Sequence, residues 1–450
     1  MKPSPTTPTA PSSRRTFLRN SSLLVAGSAI AASQVQIARG AHAFGSDTIK
    51  VGLIGCGGRG TGAATQAMNT TGGEVKLVAM ADAFDGNLQS ALGRINRAHP
   101  GKVDVPKDRQ FSGLTAYKDV LQADCDMVIL ATPPGFRPLH FEAAVKAGKH
   151  IFSEKPVAVD GAGVRKFLAA NEEAKQKGLA VAIGLQRRHE RKYMETVKAI
   201  QDGAIGDVIL ARVYWNGTKP WVRPRKDGMT EMEYQVNNWY QFLWTCGDHI
   251  VEQHIHNLDV INWIKNDYPA TAQGQGGCAY REKEFGEIFD HHMVEFTYGD
   301  GTVMLSECRH QPNTWNSVAE HVHGTKGRVD VSGSKIYDAT GKMIHNFNPR
   351  NDAERDLSQG HQQEHHDLFA EIRAGRMPQE GEWGAKSTMT AIFGRMATYS
   401  GKMLKWDQCL NSERVESPVD KYTSFQDEPP HKPDANGWYA LPVPGKTEVV

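Results

Sequence analysis

The chain has 450 residues, of which 39% are hydrophobic and 23% charged, with a formal net charge of +1 and six cysteines. This length allows two or three domains around a sizeable core, and the balance reads as soluble and globular, too large to need disulfide staples. Positions 1–43 contain Lys2, Arg14, Arg15, Arg19 and Arg39 but no acid, so the remainder is mildly acidic. It has no basic stripe of the kind nucleic acid requires.

Those first 43 residues have the layout of an export signal. Ser13-Arg14-Arg15-Thr16-Phe17-Leu18-Arg19 resembles the twin-arginine consensus, a modestly apolar segment runs from Leu23 to Ala32, and Ala41-His42-Ala43 supplies a small-x-small cleavage pattern. The expectation is passage through the twin-arginine export machinery, cleavage after Ala43 and a periplasmic or other extracytoplasmic location. That route carries folded proteins, often with cofactor already bound. The six cysteines stand singly, without CxxC or metal spacing, so a disulfide is permitted but not required.

From Ile49 to about Gly184, short β-rich runs alternate with helical stretches, the pattern of a parallel sheet built from βαβ units. The first run, Ile49-Lys-Val-Gly-Leu-Ile54, breaks into Gly55-x-Gly57-x-x-Gly60, with Gly58 and Arg59 inside the turn. The first glycine allows a tight turn, the second a close approach of backbone to a pyrophosphate, and the third close packing of helix on strand. A helix through Gly62 to Met68 would present unsatisfied N–H groups to the anion. The run Val75–Ala81 then ends at Asp82, whose carboxylate can accept hydrogen bonds from both ribose hydroxyls but would repel a 2′-phosphate. No arginine follows at 83 or 84, which favours NAD over NADP.

Further strands are read at Met127–Ala131, Lys149–Ser153 and Ala180–Gly184, with a helix at Leu139–Ala147 between the first two. A helix from about Arg191 to Gln201 ends at Asp202-Gly203. Thereafter residues 207–216, 270–281, 288–298 and 301–309 are strand-like, with a hairpin turn at Gly299-Asp300-Gly301. The stretch Ser332 to Gly360 is polar and turn-rich, and helical patterns occupy Glu364–Ala374 and Lys386–Lys402. The expected organisation is a signal at 1–43, a dinucleotide-binding domain at 48–185, a second α/β domain at 186–360, helices at 361–405 that pack back on the core, and a tail at 406–450.

At Ala131-Thr132-Pro133-Pro134, then His140, then Gly148-Lys149-His150-Ile151-Phe152-Ser153-Glu154-Lys155-Pro156, the chain closely resembles the Gfo/Idh/MocA family. The resemblance covers about residues 48–400. It implies an N-terminal Rossmann domain, a C-terminal α/β domain with a large open, mainly antiparallel sheet, and an active site between them. It implies cofactor contacts at Thr132, Pro133, His140, Glu154, Lys155 and Arg188, the last in the loop Gln186-Arg187-Arg188-His189. It also implies a homo-oligomer, because exposed sheet faces in this family commonly pair subunits. Independently of the family, Lys155 stands at the carboxyl end of a parallel strand, where open α/β sheets place their ligands.

A second constellation runs Gly247-Asp248-His249-Ile250-Val251-Glu252-Gln253-His254-Ile255-His256-Asn257-Leu258-Asp259. Read as one helix, it places His249, Glu252, His256 and Asp259 on a single face. The family's corresponding helix carries a histidine acting as acid/base on the reacting hydroxyl, and His256 takes that place, with Asp259 as the trailing aspartate. Glu252 stands where the family has Asp, and His254 where it has Gly. The catalytic set is therefore Lys155, His256 and Glu252. Lys155, Asp259, His249 and Trp239 are candidates to bind substrate, Trp239 from an aromatic-rich stretch at 214–244 that could equally be core. His249, Glu252 and His256 have ligand chemistry for a metal, but the family needs none, and none is expected.

The resulting expectation is an exported, NAD-dependent oxidation of a hydroxyl on a sugar, polyol or glycoside, with a tightly held cofactor. Two other readings stand beside it. One is an NAD-dependent glycoside hydrolase or lyase working by transient oxidation, elimination and re-reduction; the other is a non-catalytic sugar or nucleotide sensor.

Overall fold

Six short apolar strands form the first sheet: β1 (Ile49–Ile54), β2 (Val75–Asp82), β3 (Gln110–Ser112), β4 (Met127–Leu130), β5 (His150–Ser153) and β6 (Val181–Ile183). The structure, a computed structural model, describes residues 48–450 apart from 281, 352–354 and 356–358. The expected signal at 1–43 lies outside the described residues. All neighbours in the first sheet are parallel, in the order β3-β2-β1-β4-β5-β6. The strand order reverses between β1 and β4, and ligands of such sheets bind beyond the carboxyl ends at that point. Both faces are covered, so β4 and β5 are buried at every residue, and β4 reads as a continuous apolar run instead of an alternating one.

The second sheet has nine strands: β7 (Val208–Gly217), β8 (Pro269–Gly277), β9 (His291–Tyr298), β10 (Val303–His310), β11 (Ser317–Gly324), β12 (Gly327–Asp330), β13 (Lys335–Asp338), β14 (Met343–Asn346) and β15 (Leu404–Lys405). They lie in the order β14-β13-β12-β11-β7-β10-β9-β8-β15. Only β7 with β10 is parallel, so the sheet is mixed and, as expected, mainly antiparallel. Strict in–out alternation along β9 and β10 follows from one face packing on helices while the other stays open. Strands β13 and β14 fall in the stretch read as turn-rich. Every residue of β14 is exposed, which leaves no apolar alternation to read.

Two late helices tie the sheets together. In the helix Gly360–Arg373, Leu368, Phe369 and Ile372 join the core that packs against β1, β2 and β4. The helix Gly381–Ser400 is buried on nearly every side. Its Thr388 Oγ1 accepts from Val157 N (3.2 Å), and its Arg395 donates to Val159 O (2.7 Å) and Gly247 O (3.1 Å). Those bonds fix the segment leaving β5 against the turn that opens the histidine-rich constellation.

Candidate active site

The glycine turn is shaped for an anion. Gly55 has φ +100°, and a Cβ on Gly60 would lie 1.9 Å from the Gly55 carbonyl oxygen. Around Gly57 and Gly58 nothing approaches within 4 Å of where a Cβ would stand, so the turn's outer side is open to a ligand. The helix Gly58–Met68 starts there with no side-chain cap and no acid in its first turn, leaving N–H groups and the positive end of its dipole for a pyrophosphate.

At the end of β2, the Asp82 carboxylate accepts from Cys56 N (2.7 Å), Phe84 N (2.8 Å) and Asn87 Nδ2 (3.2 Å). Burial raises its pKa against the pull of those bonds. Beside it opens a largely apolar cavity lined by Asp82, Leu114, Tyr117, Thr132, Phe136 and Val236. On its far wall Thr132 Oγ1 and His140 Nδ1 are 3.1 Å apart, and the His140 ring stacks on Tyr117 at 4.1 Å. Burial drives the pKa of His140 down to about 3, so the ring is neutral. Pro133 lines the same wall. An open phosphate turn, a carboxylate at the end of β2 and an apolar cavity at the strand-order reversal together fit an NAD molecule.

Glu154 and Lys155 follow β5. Arg59, from the phosphate turn, pairs with the buried Glu154 carboxylate and also with Glu364 (3.1 Å). Lys155 Nζ donates to the backbone oxygen of Glu252 (2.6 Å) and to its Oε1 (3.0 Å). His256 is 7% exposed and stacks on Trp215 of β7 with centroids 5.9 Å apart. Burial first, then the charges of Lys155 and Arg187, push its pKa well below the usual histidine value. A neutral imidazole beside a lysine is suited to accept a proton.

The expected single helix at 249–263 is two helices, His249–Glu252 and Ile255–Lys265. In an unbroken helix His256 N would bond to Glu252 O. Here it bonds to Gln253 O (3.3 Å), which leaves the Glu252 oxygen for Lys155. His254 anchors the break through its Nε2, 2.8 Å from Ser306 Oγ on β10. The break also divides the residues read as one face.

The structure sets four of the residues read as ligand contacts against partners within the protein. His249, read as a substrate contact, is sealed from solvent, with Nδ1 3.0 Å from Asp248 Oδ1 and its ring against His292 and His310. Asp248 also accepts from Phe289 N (3.0 Å) and Tyr399 OH (2.6 Å). Asp259 and Arg188, read as substrate and cofactor contacts, face each other instead. The Arg188 guanidinium bonds both Asp259 oxygens at 2.8–3.2 Å, and Ser387 Oγ donates to Asp259 Oδ1 at 2.7 Å. Arg188 also lies 4.0 Å from the Trp383 ring centre and 5.3 Å from that of Trp263. Trp239, read as a sugar platform, packs against Trp221 and Tyr240 in a small cluster of its own. A charged pair and two aromatic faces satisfy one another inside the protein, which sequence spacing cannot reveal.

Other supports carry no sequence signal. Arg137, 2% exposed, donates to the backbone oxygens of Glu154 and Thr132, fixing the ends of β5 and β4 relative to each other. Glu320 on β11 is wholly buried, pairs with Arg187, and accepts from Asn257 Nδ2 (2.6 Å) and Tyr193 OH (3.3 Å). That network braces the helix carrying His256.

Residues 49–184 match the oxidoreductase family with an NAD-binding Rossmann fold, and residues 197–414 match that family's C-terminal α/β domain. Inositol 2-dehydrogenase of Rhizobium meliloti is 26% identical over 64% of this chain and 77% of its own. The NADP(+)-dependent scyllo-inositol 2-dehydrogenase of Bacillus subtilis is 22% identical over 79% of each chain. In fold, the chain is similar to the crystal structure of scyllo-inositol dehydrogenase from Lactobacillus casei with bound NAD(H) and scyllo-inositol. That likeness has a TM-score of 0.60 at 21% identity and covers 80% of this chain and all of the other. With its phosphate turn, its paired sheets and both matched domains, the chain belongs to the Gfo/Idh/MocA oxidoreductase family and is an NAD-binding enzyme.

Proposed function

We propose that this protein oxidises a secondary hydroxyl of a polyol or sugar, with a cyclic polyol such as an inositol as the first class to test. The observation that carries the reading is Lys155, held by both Glu252 oxygens at the carboxyl end of β5, with a nearly buried His256 close enough for the lysine charge to help keep its imidazole neutral. When bound, NAD supplies the hydride acceptor. Lys155, oriented by the two Glu252 oxygens, positions the substrate hydroxyl. His256 takes its proton, and its low basicity keeps it ready to do so well below neutral pH. Phe152 and Ile151, wholly buried beneath Lys155, hold the strand end rigid.

We further propose export by the twin-arginine route, supported by the arginine pair and cleavage pattern of residues 1–43. An exported dinucleotide enzyme has little free NAD around it, so its cofactor must be retained and restored within each cycle. Redox-neutral cleavage of a glycoside satisfies that demand and is the second reading.

One assay separates the two. Purified protein is incubated with an inositol and sugar panel and, separately, with nitrophenyl glycosides. NADH accumulation on a free polyol or sugar supports the dehydrogenase; aglycone release without net NADH supports glycoside cleavage. Silence on both panels, with NAD demonstrably bound, rejects both activities and leaves a sensor.

A further inference from the structure

The family match stops at residue 414, but the chain beyond it is firmly placed. Glu416 N and Ser417 N donate to Asp160 Oδ2 (2.8 and 3.2 Å), the carboxylate that caps the helix Gly161–Gln176. Ser417 Oγ donates to Gly135 O (3.2 Å), in the turn just after β4. Val419 and Tyr439 are buried, and the Phe425 ring stacks on Phe84 with centroids 5.1 Å apart. Phe84 is the residue whose backbone N–H holds Asp82.

The same tail grips the segment 229–244 of the second domain. Thr230 Oγ1 donates to Phe425 O (2.5 Å), and Gln235 Nε2 donates to His431 O (2.6 Å). Tyr422 packs edge-on to Trp244 at 5.7 Å, and Tyr439 edge-on to Phe242 at 5.0 Å. Val236, within that gripped segment, lines the cavity beside Asp82 and Thr132. The tail therefore fastens an element of the second domain to the loops after β2 and β4, the two loops that frame the cavity.

We propose that residues 415–439 are a strap that retains the adenosine half of NAD, turning a diffusible cofactor into a resident one. This rests on the reading of the cavity as an NAD site. With the strap seated, Val236 walls the cavity and Phe84 follows directly on the lining residues Asp82 and Ala83, so the adenosine leaves only after the aromatic contacts of Tyr422 and Phe425 open. Closure of this kind lowers the dissociation rate by the population of the opened state. The strap serves cofactor retention and not chemistry, since among the described residues its hydrogen bonds and ring contacts reach none of Lys155, Glu252 and His256.

The test uses the full chain loaded with NADH, with release followed by cofactor fluorescence after mixing with excess NAD. Phe425→Ala and Tyr422→Ala are each expected to speed release at least about tenfold, the scale of one lost aromatic contact with its burial. Release within about twofold of the unsubstituted protein in both variants overturns the strap. Should the variants fail to fold, hydrogen exchange on the unsubstituted protein decides. NAD is expected to slow amide exchange across 419–427 by linkage, and equal exchange with and without NAD overturns the proposal. Titration calorimetry keeps the two ideas apart. No NAD binding at all overturns both the cavity assignment and the strap, whereas NAD that binds but leaves both variants at the original rate overturns the strap alone.

Discussion

Lys155 and Glu252 meet through two bonds of different kinds: one ammonium reaches a backbone oxygen at 2.6 Å and a carboxylate oxygen at 3.0 Å. The backbone bond exists only because the helix breaks at Gln253 and His254. Glu252→Gln keeps that backbone acceptor while removing the charge, so the lysine stays near its place but is held less tightly. Lys155→Met is expected to lower kcat by about 10²–10⁴ while leaving NAD affinity within about threefold, and Glu252→Gln to fall between it and the unsubstituted enzyme. Steady-state kinetics beside calorimetric NAD titration check the order.

His256→Asn should abolish turnover with NAD still bound, since His256 is not among the residues that line the cavity beside Asp82. In the unsubstituted enzyme, burial keeps the imidazole unprotonated well below the ordinary histidine range. The acid limb of kcat/KM should therefore sit below pH 6.5 and shift upward if the Lys155 charge is removed less than it would if burial were relieved. A limb at or above 6.5 contradicts the assignment of His256 as the base.

Asp82→Asn leaves a neutral amide where a charged acceptor faced the ribose. Weaker NAD binding by about tenfold or more is expected, given about 1.5–3 kcal/mol for hydrogen bonds to a charged group, together with a narrower preference for NAD over NADP. Paired titrations with the two dinucleotides measure both effects; an unchanged NAD/NADP ratio would remove Asp82 from the discrimination.

Arg188 and Asp259 are a structural pair, so their loss should appear in stability before catalysis. Asp259→Ala leaves a guanidinium between Trp263 and Trp383 with no carboxylate and should cost about 3–5 kcal/mol in denaturant unfolding. A variant as stable as the parent but catalytically dead would return Asp259 to the substrate site.

Stability should decline as pH falls from 7.5 to 5.5. His140 and His310 are held down to about 3, and burial also lowers His254, His256, His292 and His365. The unfolded chain takes up protons at these rings near pH 6.5 while the folded chain does not, so unfolding is favoured as pH drops through that value. Against this trend His249 and His431 are raised by their carboxylate partners and surroundings, as is His189. Bonded to Asp367 and Glu380, it is raised to about 10, and its contribution is complete below 6.5 and lost as pH rises through 10. Melting temperature measured across this range checks the sign, with a lower value at pH 5.5 than at 7.5 expected.

Much of this protein is legible in its sequence. Gly55, Gly57, Gly60 and Asp82 announce the phosphate turn because local backbone geometry demands particular residues at particular spacings. The strands β1, β2, β4 and β5 announce themselves because burial on both faces leaves apolar stretches at their centres, residues 51–54, 77–81, 127–130 and 151–152. The strands β13 and β14 do not, since an exposed edge imposes no periodicity.

Lys155 and His256 were likewise visible as residue types in a telling order. Which of their neighbours act with them was decided in three dimensions. Helical spacing counts His249, Glu252, His256 and Asp259 as one face, but it cannot register that Lys155, 97 positions before Glu252, takes a backbone oxygen and that His254 turns to Ser306. Nor can spacing show that Arg188 and Asp259, 71 positions apart, neutralise each other, or that Phe425 rests on Phe84 beside the cofactor cavity. Local propensity and pattern act over a few residues. Charge pairing, desolvation and aromatic packing act between segments that only the folded chain brings together.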